Sequence, residues 1–155
     1  MPKVDIEKVA VDVATGYPPQ FRKEIEGRSR KRLGTALGLT QFGVNICTLK
    51  PGAQSSQRHW HANEDEFIYV LEGEVLVIED DCEIVLKKGE AAGWKAGAPV
   101  GHTVANRSQR DALVLEIGTR DPIGDKVIYP DIDMVFERTG SERRYSRKSG
   151  EPYSK

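Results

Sequence analysis

The chain has 155 residues, the size of one domain able to bury its own core. Its 23 Lys and Arg balance 24 Asp and Glu for a net charge of -1, which gives no basis for a nucleic-acid or membrane partner. Unbroken apolar runs reach about five residues, as in Phe67 to Leu71, against roughly 20 for a membrane-spanning helix.

Charged residues interrupt the start, MPKVDIEKVAVD, where a signal peptide needs an apolar stretch, so a cytoplasmic protein is expected. Residues 1–33 are mixed and polar, broken at Gly16-Tyr17-Pro18-Pro19, and read as an N-terminal arm lying on the domain. The basic cluster Arg28, Arg30, Lys31 and Arg32 reads as solvated surface, because no glycine-rich loop or aromatic interleaving accompanies it.

From Phe42 short apolar runs are cut by turn residues: FGVNICTL, EFIYVLEG, EVLVIED, CEIVLKKG, HTVANRS and ALVLEIG. Their spacing predicts an all-β domain of antiparallel strands closing as a sandwich or barrel, with no helical period long enough for an α/β fold. We assign residues 34–120 to this domain. Residues 121–155 form a C-terminal extension with short apolar segments at Val127 to Tyr129 and Met134 to Phe136. Its tail, from about Arg138, is rich in Arg, Ser and Gly and is expected to be mobile. Cys47 and Cys82 show no C-x-x-C spacing and read as reduced thiols.

Strand parity bears on assembly. If Glu66 faces inward, Ile68 and Val70 share its face, yet Phe67, Tyr69 and Leu71 on the other face are equally apolar. A strand with one wet face alternates, so something covers the outer face: the terminal arms, or a second copy in a homodimer, which we favour.

The region between Gly52 and Gly73 holds His59, His61 and Glu66. Residues two apart on a strand share a face, and imidazole is a good ligand for first-row transition metals. His102 completes the three histidines of the chain. Trp60 alternates with the histidine pair and is expected to face away. Glu64 and Asp65 read as solvated turn acids, with Glu64 an alternative ligand. Ser55 and Gln57 share the parity of His59, and Asn106 that of His102, so each is placed lining the pocket or hydrogen-bonding a ligand.

The first motif runs Gly52, six residues, His59, Trp60, His61, four residues, Glu66, six residues, Gly73. The second runs Gly89, five residues, Lys95, Ala96, Gly97, four residues, His102, three residues, Asn106. These resemble the two motifs of the cupin superfamily, whose small jelly-roll barrel binds one metal. The resemblance spans roughly residues 42 to 118 and implies His59, His61, Glu66 and His102 as ligands. The family usually has proline where Lys95 stands, and two residues where this chain has four before His102. The added length falls in a loop and is expected to reshape the pocket rim. Lys95 then reads either as an ammonium holding a carboxylate or phosphate at the barrel mouth, or as a solvated lysine.

Three imidazoles and a carboxylate suit one divalent iron, manganese, nickel, cobalt, copper or zinc ion, and not magnesium or calcium, which prefer oxygen shells. Four protein ligands on an octahedral ion leave two positions for a small-molecule substrate. The fold hosts many reactions. The resemblance therefore leaves three readings: a metal-dependent isomerase or epimerase of a sugar or sugar phosphate, an iron or manganese dioxygenase, and a non-catalytic small-molecule binder.

Overall fold

The computed structural model describes residues 3–153; the ends of both expected extensions, 1–2 and 154–155, lie outside the described residues. In chain order the strands are β1 (Val11–Asp12), β2 (Arg28–Arg32), β3 (Phe42–Leu49), β4 (Trp60–His61), β5 (Glu66–Glu72), β6 (Glu74–Ile78), β7 (Glu83–Lys87), β8 (Ala91–Trp94), β9 (Thr103–Ala105), β10 (Ala112–Thr119), β11 (Gly124–Tyr129), β12 (Met134–Thr139) and β13 (Glu142–Ser146). Helix among the described residues is limited to one turn, α1 (Leu33–Ala36), and short 3-10 turns. No helix among the described residues is long and apolar enough to cross a membrane.

The apolar runs of the sequence become β3, β5, β6, β7, β9 and β10, rich in β-branched and aromatic residues that fit a pleated surface. They build an antiparallel jelly roll. One six-stranded sheet runs β1-β2-β3-β10-β5-β8, and the facing layer consists of β13-β12-β11-β4 and β7-β6-β9. A backbone bridge from His59 to His102 joins the two parts of that layer, with a second bridge from Gln54 to Ala105. Gly73 makes the turn from β5 to β6 at φ 77°, and a Cβ there would lie 3.1 Å from the Asp111 carbonyl oxygen, so both conformation and space require glycine.

The main core lies between the layers, where Cys47, Leu49, Val70 and Val114 of one sheet meet Val75, Val77 and Val104 of the other. Burying each large aliphatic side chain contributes about 1.5–3 kcal/mol. A second cluster ties the chain ends down: Tyr17 packs edge-on against Tyr129 and Tyr145, and Phe21 against Tyr153, around buried Ile25, Val127 and Met134.

These contacts revise the expected extensions. Residues 28–32, read as part of the arm, pair along β3 as an integral strand of the large sheet. The residues after Arg138, expected as a mobile tail, instead form β13, which pairs with β12 from Val135 to Thr139. Tyr145 and Tyr153 supply the packing that holds this segment, a signal masked by the surrounding Arg, Ser and Gly. On β5, Ile68 and Val70 are buried while Phe67 and Tyr69 remain 42% and 38% exposed, so the arms do not cover this outer face.

Candidate metal centre

His59, His61, Glu66 and His102 converge at one end of the space between the sheets. The Nε2 atoms of His59, His61 and His102 lie 3.4, 3.5 and 2.7 Å from the same oxygen, Glu66 Oε2. His59 and His102 are held by the bridge between strand segments, His61 by β4 against β11, and Glu66 by the start of β5.

Each imidazole is fixed through its other nitrogen. His59 Nδ1 lies 2.9 Å from the Gln57 carbonyl oxygen and 3.2 Å from Ser56 Oγ; His61 Nδ1 lies 2.5 Å from Asp125 Oδ2; His102 Nδ1 lies 3.2 Å from the Val100 carbonyl oxygen. An acceptor at Nδ1 keeps the proton there and leaves the Nε2 lone pair free for a metal. The Trp94 indole stacks on the His102 ring at 3.8 Å between centroids, and its Nε1 donates to Glu79.

The electrostatics fit a cation. Burial disfavours the Glu66 carboxylate, but the surrounding histidines outweigh it and hold the group well below its ordinary value. Burial also opposes a charged His61, yet Asp125 and Glu66 push its pKa up to about 10. At His59 burial wins, and the ring favours its neutral form. Three nitrogen donors and one carboxylate therefore surround a point that calls for positive charge, as a divalent transition metal would supply. His59, His61 and Glu66 offer ligand atoms within 4.8 Å of one another, and so do His61, Glu64 and Asp125. In the second group Glu64 is committed elsewhere: it is 6% exposed and pairs with Arg138 at 2.6 Å and Arg120 at 3.4 Å, so it is not the solvated turn acid expected.

The cluster opens into a cavity of about 310 Å³. Its wall includes Arg28, Arg30, Arg32, Arg120 and Arg143, together with Glu116, Tyr17, Tyr129 and Tyr145. The basic cluster of β2 is thus only in part solvated surface: Arg28 is buried and Arg30 half-buried on the cavity wall, whereas Arg32, on the same face of β2, stays exposed. Arg30 forms a fork with Glu116 at 2.6 and 2.8 Å. At one end Gly43 and Gly118 lie opposite each other on β3 and β10, and the Arg120 guanidinium occupies the space where a Gly43 side chain would be.

The weaker sequence candidates separate. Ser55 lines the cavity, and its carbonyl accepts from Arg28 and Arg30. Gln57 points out of the cavity and donates to the Phe21 carbonyl and Glu24. Asn106 is fully buried but donates to the Leu49 and Arg110 carbonyls, bracing a turn. Lys95 is exposed and absent from the cavity wall, so it does not hold an anion there. Asp125, Ser56, Trp94 and Glu116 were not singled out from sequence. Strand parity is the signal that could have found Glu116, which lies two residues before Gly118, the cross-strand neighbour of Glu66.

Residues 45–118 match the family described as Cupin domain. Over 99% of its length the chain superposes on 97% of a sugar phosphate isomerase of the cupin superfamily from Silicibacter pomeroyi, with TM-score 0.94 and 39% identity. A candidate sugar phosphate isomerase from Acidithiobacillus ferrooxidans matches with TM-score 0.74 and 26% identity, over 83% of this chain and 81% of that one. The polyketide cyclase RemF from Streptomyces resistomycificus shares the fold at TM-score 0.64 and 19% identity, over 78% and 80% of the two chains. No curated protein matches the chain. The chain belongs to the cupin superfamily.

Proposed function

We propose that the chain is a metal-dependent isomerase or epimerase of a sugar phosphate, acting in the cytoplasm as a homodimer. The observation behind this reading is the convergence of three histidine Nε2 atoms and the Glu66 carboxylate at the end of a cavity walled by arginines. The name of the Silicibacter pomeroyi relative, which is similar over nearly its whole length, supports the substrate class.

His59, His61, Glu66 and His102 would hold the metal, which supplies Lewis-acid polarisation of a substrate carbonyl. Isomerisation also needs a group that takes a proton from the carbon beside that carbonyl and returns it to a neighbouring atom. With the histidines and Glu66 committed, Glu116 is the remaining carboxylate on the cavity wall. Burial would raise its pKa, but Arg30 overrides this and keeps it an anion, the form a base needs. Glu116 Oε1 and Oε2 are the proton-accepting atoms in this reading. Tyr17, Tyr129 and Tyr145 on the cavity wall would limit the access of water to the reacting carbons.

The test is turnover in deuterated water against a panel of aldose and ketose phosphates. Solvent deuterium should enter the carbon beside the carbonyl, at equal rates with and without dioxygen, and Glu116→Gln should abolish incorporation while keeping its metal. A reaction that consumes dioxygen would replace this reading with the oxygenase.

A further inference from the structure

The cavity wall holds more positive charge than the neighbouring carboxylates match. Arg30 is paired with Glu116, Arg32 with Asp12 at 2.6 Å, and Arg120 with Glu64. Arg28 and Arg143 have no carboxylate partner among the described residues.

Arg28 is 9% exposed, and its Nη1 and Nη2 donate to the carbonyl oxygens of Ser55 at 2.7 Å and Ala14 at 3.4 Å. Those carbonyls position the fork without neutralising it. Burial and the neighbouring Arg30 both disfavour its charge. A buried guanidinium left without a counter-charge is costly unless an anion arrives.

Arg143 approaches from the opposite layer. It sits two residues before Tyr145 on β13, so the two side chains share the face turned to the cavity, and Arg143 makes no side-chain hydrogen bond among the described residues. Burial raises the pKa of the Tyr145 phenol, and the fields of Arg143 and Arg28 both act against that rise, as expected if the phenol lies near both cations. Two guanidiniums from facing sheets and one phenol thus border a single cavity that also opens on the metal cluster.

We propose that Arg28, Arg143 and Tyr145 form an anion subsite that holds the phosphate group of the substrate. A tetrahedral dianion presents oxygens in several directions and can accept from forks on two walls at once, where a planar carboxylate suits one. Fixing the unreactive phosphate end leaves the sugar to reach the metal cluster, so remote binding energy orients the reacting carbons. This inference rests on the isomerase reading only for which molecule bears the phosphate.

The test is isothermal titration of the full chain with inorganic phosphate, once metal-loaded and once after chelation. Saturable binding should appear in both forms, weaken at least tenfold in Arg143→Ala and Arg28→Lys, and stay unchanged in Lys95→Ala, whose side chain lies outside the cavity. Arg143→Ala removes an exposed side chain without hydrogen bonds, so it remains decisive if Arg28→Lys misfolds. Absence of phosphate binding, equal affinity in R143A, or binding lost with the metal would overturn the subsite. Phosphate binding without turnover of any sugar phosphate would remove the isomerase reading and leave the subsite standing. Turnover with an unaltered KM in R143A would do the reverse.

Discussion

His59 and His102 exchange both of their backbone hydrogen bonds, 3.0 Å from the His59 amide to the His102 carbonyl and 2.9 Å in return, and their rings lie 5.0 Å apart. Two residues 43 positions apart in sequence are therefore set side by side by backbone hydrogen bonds. The loop before His102 is longer than the family's second motif usually has, yet its length is absorbed ahead of this bridge. Gly97 bonds to the His61 carbonyl, and Gly101 packs against Pro130. A preformed site of this kind predicts that the chain folds without metal and that metal raises its stability in proportion to affinity.

Asp125 accepts from His61 Nδ1 through Oδ2 and from the Asn63 amide through Oδ1, and its backbone lies on β11 beside β4. Asp125→Ala should leave the fold intact and weaken metal binding about 10–100-fold, the usual effect of removing an acceptor behind a metal-binding histidine. Competition against a chelator of known affinity measures it. Equal affinity would mean that the orientation of His61 is fixed by its strand alone.

Glu116 and Arg30 make a pH-dependent contribution of known sign. The folded carboxyl is held below its ordinary value of 4.5, so between the two values the unfolded chain binds more protons than the folded one. The pair's contribution is complete above about pH 4.5 and is lost as pH falls through the folded value. Urea unfolding of the metal-free protein as a function of pH should show this acid slope, and Glu116→Gln should reduce it. Arg30→Ala, which strands the buried carboxylate, should cost about 3 kcal/mol at pH 7.

The outer face of the six-stranded sheet aligns Val44, Ile117 and Phe67 across three strands, and Ile46, Leu115 and Tyr69 in the next row. Phe67 and Tyr69 remain open to water in the single chain, as a surface awaiting a second copy would. Sedimentation should give a dimer for the native chain, and Phe67→Asp should shift it to monomer with the metal content unchanged. A native monomer would refute the homodimer.

The two thiols differ in environment. Cys47 is fully buried in the core and burial raises its pKa, whereas Cys82 is exposed. One thiol per folded chain should react with an aromatic disulfide reagent, and the second only on unfolding.

The strands and the four clustered residues were legible because period-two patterning and ligand spacing are local signals. β5 could be read from its own run of β-branched and aromatic residues, and the His-x-His pair from its own spacing. What the sequence concealed was partnership over distance. Arg28 and Arg30 look like surface until β2 is known to pair with β3, because a charge cluster shows no local sign of which face it will take. Asp125 and Glu64 look like ordinary loop acids until His61, Arg120 and Arg138 are brought to them from 56 to 74 residues away. β13 escaped because its apolar content rests on Tyr145, whose partners Tyr17 and Phe136 lie on other elements.

The most direct test of the metal centre is elemental analysis per chain of untagged protein purified without chelator, beside His61→Ala and Glu66→Gln. The account predicts close to one equivalent of a divalent transition metal in the native chain and little in either variant, with both variants still folded. No metal in the native chain even after reconstitution, or full metal in both variants, would contradict it.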